Sequence, residues 1–271
     1  MPEGPEIRRA ADRLEKAILH QRLRSVHFAF DRLKPFEAPL AASSVTRIET
    51  RGKAMLTHFD CGLAVYSHNQ LYGRWYTSKP GQTPRTARSL RFAVYGTRAD
   101  ILLYSASDIE VLNADQIVKH PFLSKLGPDA LDPDLNAAEL EERLKDPRFR
   151  RRRLAALLLD QGFVAGLGNY LRSEILHAAA LAPSRSAAGL SDTERHALAD
   201  ACLDITRRSY RHAGITNDLA RAEALKLAGS RFEQRRFAVF GRDGLPCYRC
   251  DTPILKAEMA RRIYWCPDCQ R

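Results

Sequence analysis

A chain of 271 residues is about two domains long and can bury real cores. Its 43 Lys and Arg against 32 Asp and Glu leave a net charge of +11, which fits a polyanionic partner, nucleic acid before an anionic membrane. No apolar run has bilayer-spanning length and the charged start argues against a secretory signal. The expected location is therefore the cytoplasm, where six cysteines suggest metal or free thiols rather than disulfides.

The chain opens Met1-Pro2-Glu3-Gly4-Pro5-Glu6. Removal of Met1 before a small residue would expose a secondary α-amine on Pro2. An α-amine titrates well below a lysine and can form a Schiff base with a carbonyl carbon. Glu3 stands ready as acid or base beside it. Taken alone, these six residues are better read as a proline that stiffens a disordered chain end. Residues 6–20 then read as an amphipathic helix, with Ile7, Ala10, Ala11, Leu14 and Ile18 on one face.

From 23 to about 105 the pattern is of short strands. Val26, Phe28 and Phe30 alternate, as do Leu90, Phe92 and Val94, and further runs lie at 54–59, 63–66 and 101–104. Many short strands after one helix predict a β-sandwich or barrel. Arg51-Gly52-Lys53 lies between two of these runs. Lys53 either guards a strand edge or supplies a cation to the chemistry near Pro2. His68-Asn69-Gln70-Leu71-Tyr72-Gly73 falls at a turn. There Leu71 and Tyr72 either fill core or wedge into a base stack and hold a flipped base out. Residues 78–88 read as a mobile surface loop.

Residues 127–134, with two prolines and little apolar weight, read as a linker. Helices are expected over 137–144, 151–162, 169–181, 192–210 and 219–227. Arg148–Arg153 is a basic cluster that fits a phosphate channel or a solvated face. Gly166-Leu167-Gly168-Asn169 opens a helix, and its amides form an anion site. Asn169 either donates to a phosphate or caps the helix. Cys247-x2-Cys250 and Cys266-x2-Cys269, fifteen residues apart, fit one structural zinc ion with all four positions filled. Arg261 and Arg262 lie between the pairs and can meet phosphates. Cys61 and Cys202 are expected to be buried or half-buried thiols.

As a set these motifs resemble the formamidopyrimidine-DNA glycosylase/endonuclease VIII family. Pro-Glu-Gly-Pro-Glu, the strand-borne lysine, Gly-Leu-Gly-Asn and the four-cysteine finger occur in the family's order, from residue 2 to residue 269. The resemblance implies an α+β chain: an N-terminal β-sandwich catalytic domain (1–126), a linker (127–134), a helix-two-turn-helix domain (135–231) and a zinc-finger domain (232–271), with DNA between the two lobes. Arg51–Ala54, Ser67–Gly73 and Leu103–Asp108 are closest to the endonuclease VIII branch, which implies oxidised pyrimidines as substrates. The activity implied is a bifunctional DNA glycosylase and abasic-site lyase working on double-stranded DNA, as a monomer. Carried over by motif, Pro2 is the Schiff-base nucleophile, Glu3 the proton carrier and Lys53 an essential cation. Gln70, Leu71 and Tyr72 fill the gap left by the everted base. Asn169 and a finger arginine hold flanking phosphates. Counting back from the third cysteine selects Arg261 and counting forward from the second selects Arg262, because this finger is one residue shorter than usual.

Overall fold

The computed structural model describes residues 2–271; Met1, and with it the expectation of its removal, lies outside them. The described residues form two compact units. Pro2 and Glu6–Lys125 make the first; Glu3–Pro5 and Leu126–Arg271 make the second.

The first unit carries helix α1 (Gly4–Ile18) from Glu6 onward and two antiparallel four-stranded sheets. One sheet has the order β1 (Leu23–Phe28), β6 (Leu90–Gly96), β7 (Asp100–Tyr104), β5 (Arg74–Ser78). The other runs β2 (Val45–Arg51), β3 (Ala54–Phe59), β4 (Ala64–His68), β8 (Asp108–Leu112). Ile7, Leu14 and Ile18 of α1 share one core with Phe28, Phe92 and Leu103 of the first sheet and Ile48, Met55, Val65 and Ile109 of the second. This is the expected β-sandwich with a flanking helix. Residues 31–41 interrupt the strand pattern with a 3₁₀ turn and helix α2 (Glu37–Ala41), where Pro35 and Pro39 remove ladder donors. Gly52, at φ +59°, supplies the left-handed first position of the two-residue β2–β3 turn. A short helix α3 (Ala114–Lys119), boxed by Asn113 and Gln116, ends the unit.

The second unit contains α4 (Ala137–Lys145), α5 (Leu154–Leu157), α6 (Asn169–Ala178), α7 (Asp192–Arg211), α8 (Leu219–Leu227), α9 (Phe232–Arg235) and the hairpin β9 (Leu255–Met259)–β10 (Arg261–Trp265). Leu140, Leu157, Leu171, Ile175, Leu198 and Ile205 form its core, and Ile263 of the hairpin packs into it. Ser191 and Glu194 close a capping box on α7. The helix expected over 151–162 is a single turn. Leu154, Leu157 and Leu158 are buried as their spacing requires. However, the amides of Leu154 and Ala155 donate sideways to Arg185 and Pro183 carbonyls at 2.7 and 3.1 Å, so the helical ladder does not start earlier. Residues 127–134 lie against 161–165: Gly127 N donates to Gln161 O and Ala165 N to Pro128 O, each at 2.9 Å. Among the described residues no helix is long and apolar enough to cross a membrane.

Candidate active site and nucleic-acid interface

Pro2 lines a cavity of about 330 Å³ in the first unit, together with Glu6, Arg13, Leu71, Tyr72 and Arg74. The wall opposite the N-terminus is the β4–β5 turn, which is rigidly built. Gly73 N donates to Asn69 O at 2.7 Å, and a Cβ at Gly73 would lie 2.7 Å from Asn69 Cα, so no larger residue closes this turn. Arg88 Nη1 donates to Tyr72 O at 2.5 Å, and Ser107 Oγ to Gln70 Oε1 at 3.1 Å. Gln70 sits in the left-handed region at φ +47°. On this frame Leu71 is 62% and Tyr72 69% exposed, so neither fills core. Large apolar groups held in water by a stiff turn suit insertion into a stack.

His68, the first residue of the turn motif and given no role of its own from sequence, sets the turn's geometry. Its Nδ1 accepts the Gln70 N–H at 3.0 Å, and its ring meets Phe122 edge-on. Burial lowers the His68 pKa from its ordinary value; Asp108 opposes the shift and Lys53 adds to it. Lys53 therefore stands electrostatically beside the turn's anchor, one residue from Ala54, the β-ladder partner of His68. In the unfolded chain His68 takes up a proton near pH 6.5, about its ordinary value, while the folded chain resists it. The native contribution is thus present above about pH 6.5 and is lost as pH falls below it. Hydrogen exchange of the Gln70 amide, corrected for its intrinsic pH dependence, should lose protection as pH falls through the acid range, with a midpoint below about 6.5. Protection that holds until the chain unfolds, or that is lost above about pH 6.5, would contradict this role.

In the second unit, Glu3 is 2% exposed and sits at the start of α6. Its Oε1 accepts Tyr170 N at 2.8 Å and its Oε2 accepts Leu171 N at 3.3 Å. The anion site expected at the Gly-Leu-Gly-Asn turn is therefore filled by this carboxylate, not left for a phosphate; helix amides and the positive helix end complement it. Gly168 is required for the approach, since a Cβ there would collide with the Glu3 carboxyl. Gly4 N donates to Gly166 O at 2.9 Å, which fixes the terminal segment on the same turn.

Asn169 is not held as a simple cap. Its Oδ1 accepts Arg172 Nη2 at 2.9 Å, which turns the amide's donor end the other way. Arg172 is fully buried. Its guanidinium also donates to the carbonyls of Ala155 (2.8 Å), Met259 (2.9 Å), Arg261 (2.7 Å) and Arg262 (3.0 Å). Burial lowers the Arg172 pKa to about 10, so it stays charged at neutral pH. This one side chain joins Asn169 to the hairpin that bears the two finger arginines. Sequence reading missed it, although an arginine three residues after Asn169 on a helix lies on the same face.

Neighbouring strand residues point to opposite faces. Arg261 shares its face of β10 with Ile263, which packs into the helical core. Arg262 lies on the other face and pairs with Glu258 at 3.3 Å; Arg261 has no ion pair among the described residues. Within the basic cluster, Arg148 pairs with Asp146 at 2.6 Å and Arg152 with Asp160, which favours a solvated, paired face over a phosphate channel.

The sulfurs of Cys247, Cys250, Cys266 and Cys269 lie within 4.8 Å of one another. Separations of 3.9 Å (Cys247–Cys269), 3.4 Å (Cys250–Cys266) and 3.3 Å (Cys250–Cys269) compare with roughly 3.8 Å for four thiolates about zinc. The donor set fits a structural zinc site with no position left for water. Cys202 is buried, which raises its pKa to about 12. Cys61, expected to be at least half-buried, is exposed on the β3–β4 turn instead.

Residues 1–104 match the family model of the formamidopyrimidine-DNA glycosylase N-terminal domain, and residues 126–219 that of the formamidopyrimidine-DNA glycosylase H2TH domain. The chain is 52% identical over 272 residues to endonuclease 8 of Salmonella schwarzengrund (strain CVM19633), and 52% identical over 271 residues to endonuclease 8 of Escherichia coli O17:K52:H18. Each comparison covers 100% of both chains. Among solved structures, MutM in complex with carbocyclic 8-oxo-G containing DNA is similar at TM-score 0.82 and 24% identity, with 100% of both chains covered. Lactococcus lactis Fpg with an abasic site containing DNA is similar at 0.82 and 23%, with 99% of both covered; these two likenesses speak for the fold. With both domain models matched and half its residues shared end to end with curated relatives, the chain belongs to the formamidopyrimidine-DNA glycosylase family, on the endonuclease 8 side.

Proposed function

We propose that the chain is a bifunctional DNA glycosylase and abasic-site lyase of base-excision repair, acting as a monomer on oxidised pyrimidines in double-stranded DNA. It works in the bacterial cytoplasm, on the nucleoid when bound to DNA. The observation that carries this reading is the placement of Pro2 in a cavity walled by the exposed Leu71-Tyr72 turn.

The chemistry follows from these groups. Leu71 and Tyr72 enter the stack beside the lesion while the damaged nucleotide turns outward, at a cost of a few kcal/mol that damage lowers. The unprotonated Pro2 nitrogen bonds to C1′ as the glycosidic bond breaks; the base leaves with that electron pair and takes up a proton. Ring opening gives an iminium, which draws electrons from C2′–H. A base removes that proton and the 3′ phosphate departs; loss of a C4′ proton then expels the 5′ phosphate. Water hydrolyses the imine and returns the amine. Glu3, the residue next to Pro2, carries protons in these steps. Lys53 supplies positive charge where phosphate charge accumulates. The Asn169 donor end and Arg261 hold the phosphates flanking the lesion, and Gln70 meets the base left opposite. Arg262, paired with Glu258, serves as an outer phosphate contact. One zinc ion on the four cysteines cross-links the finger's two knuckles when bound.

Duplexes carrying thymine glycol or 8-oxoguanine, compared at equal enzyme, test the substrate assignment. Cleavage at thymine glycol should be faster by about tenfold or more. Faster cleavage at 8-oxoguanine would move the assignment to oxidised purines, and two intact duplexes would reduce the chain to a binding protein.

A further inference from the structure

The last turn of α6 meets the finger at a ligand sulfur. His177 is 4% exposed and Cys247 1%, and His177 Nε2 lies 3.7 Å from Cys247 Sγ, within hydrogen-bond reach of sulfur. A metal-bound thiolate carries no hydrogen, so the imidazole must be the donor. The same residue holds the knuckle at a second point, because Arg249 Nη1 donates to the His177 carbonyl at 3.0 Å. The other knuckle docks away from the ligand sulfurs: Gln270 Nε2 donates to Leu181 O at 2.9 Å and Arg271 N to Ala180 O at 3.3 Å. Among the described residues, His177 is the one side chain outside the finger that reaches a ligand sulfur.

We propose that His177 is a positioning residue of the zinc site: its Nε2–H donates to the Cys247 thiolate and holds the first knuckle on helix α6. A donor aimed at a ligand fixes that ligand's orientation and draws charge from the sulfur. The finger's metal and the helix that begins at Asn169 are thereby linked through eight residues of α6 and one imidazole. This inference rests on the zinc reading, and metal analysis of the wild-type protein comes first. A chain purified without zinc removes that reading and this inference with it. A zinc-loaded chain indifferent to His177 removes the inference alone.

The experiment compares the zinc-loaded full chain with His177→Phe, which keeps an aromatic ring without a donor, and His177→Gln, which keeps a donor at similar reach. Zinc transfer to excess chelator should be about 10–100-fold faster in His177→Phe and within about threefold of wild type in His177→Gln. In cobalt(II)-substituted protein the thiolate-to-metal charge-transfer band should move to lower energy in His177→Phe, where the sulfur has lost its donor, and hold its place in His177→Gln. Unchanged release from His177→Phe overturns the proposal. So does faster release with an unmoved band, because ring packing alone would then explain it.

Discussion

Protein that retains Met1 should lose borohydride trapping and strand cleavage on lesion duplex by on the order of a thousandfold or more, relative to processed protein. An amine lone pair attacks carbon, whereas the nitrogen of a Met1–Pro2 peptide bond is delocalised into its carbonyl. Binding of the same duplex should change by less than about threefold, because Leu71, Tyr72, Asn169 and the finger arginines are untouched. The two measurements together separate a blocked nucleophile from a damaged site. Equal trapping by both preparations would remove Pro2 from the mechanism.

The second large effect belongs to Arg172→Met. The substitution keeps a long unbranched side chain and removes donors to four carbonyls, that of Ala155 buried and those of Met259, Arg261 and Arg262 part-buried, and to Asn169 Oδ1. Each buried acceptor left unmatched costs about 1–3 kcal/mol before relaxation. Urea unfolding should therefore show a loss of about 3–5 kcal/mol. Affinity for lesion duplex should fall about tenfold or more, as the β9–β10 turn and the Asn169 amide lose their common anchor. A midpoint within about 1 kcal/mol of wild type would show that the carbonyls find other partners.

Much of this was legible in the sequence because its carriers are local. Two Cys-x2-Cys pairs announce a four-sulfur site by spacing alone, and Ile7, Leu14 and Ile18 give α1 its buried face by period. Where tertiary contacts override local pattern, the reading runs out. Strand β2 hides its alternation because a bulge between Val45 and Arg47 leaves its buried residues, Val45 and Ile48, three apart. The apolar face of Leu154, Leu157 and Leu158 suggests three helical turns where bonding to the distant Pro183 and Arg185 carbonyls permits one. The anion at the start of α6 comes from Glu3, 167 residues away in the chain, and no spacing rule reaches that far. Leu71 and Tyr72 could not be told from core residues until their exposure was known. His68 and Arg172, which fix the β4–β5 turn and the hairpin, act through hydrogen bonds that residue spacing does not show.

In the proposed mechanism the bond to deoxyribose forms at the N-terminal proline. Its most direct test is to trap processed protein on a thymine glycol duplex with borohydride, digest protein and DNA, and locate the sugar remnant by tandem mass spectrometry. The remnant is expected on the nitrogen of Pro2, in a peptide beginning Pro2-Glu3-Gly4. A remnant on a lysine side chain, Lys53 above all, would contradict it.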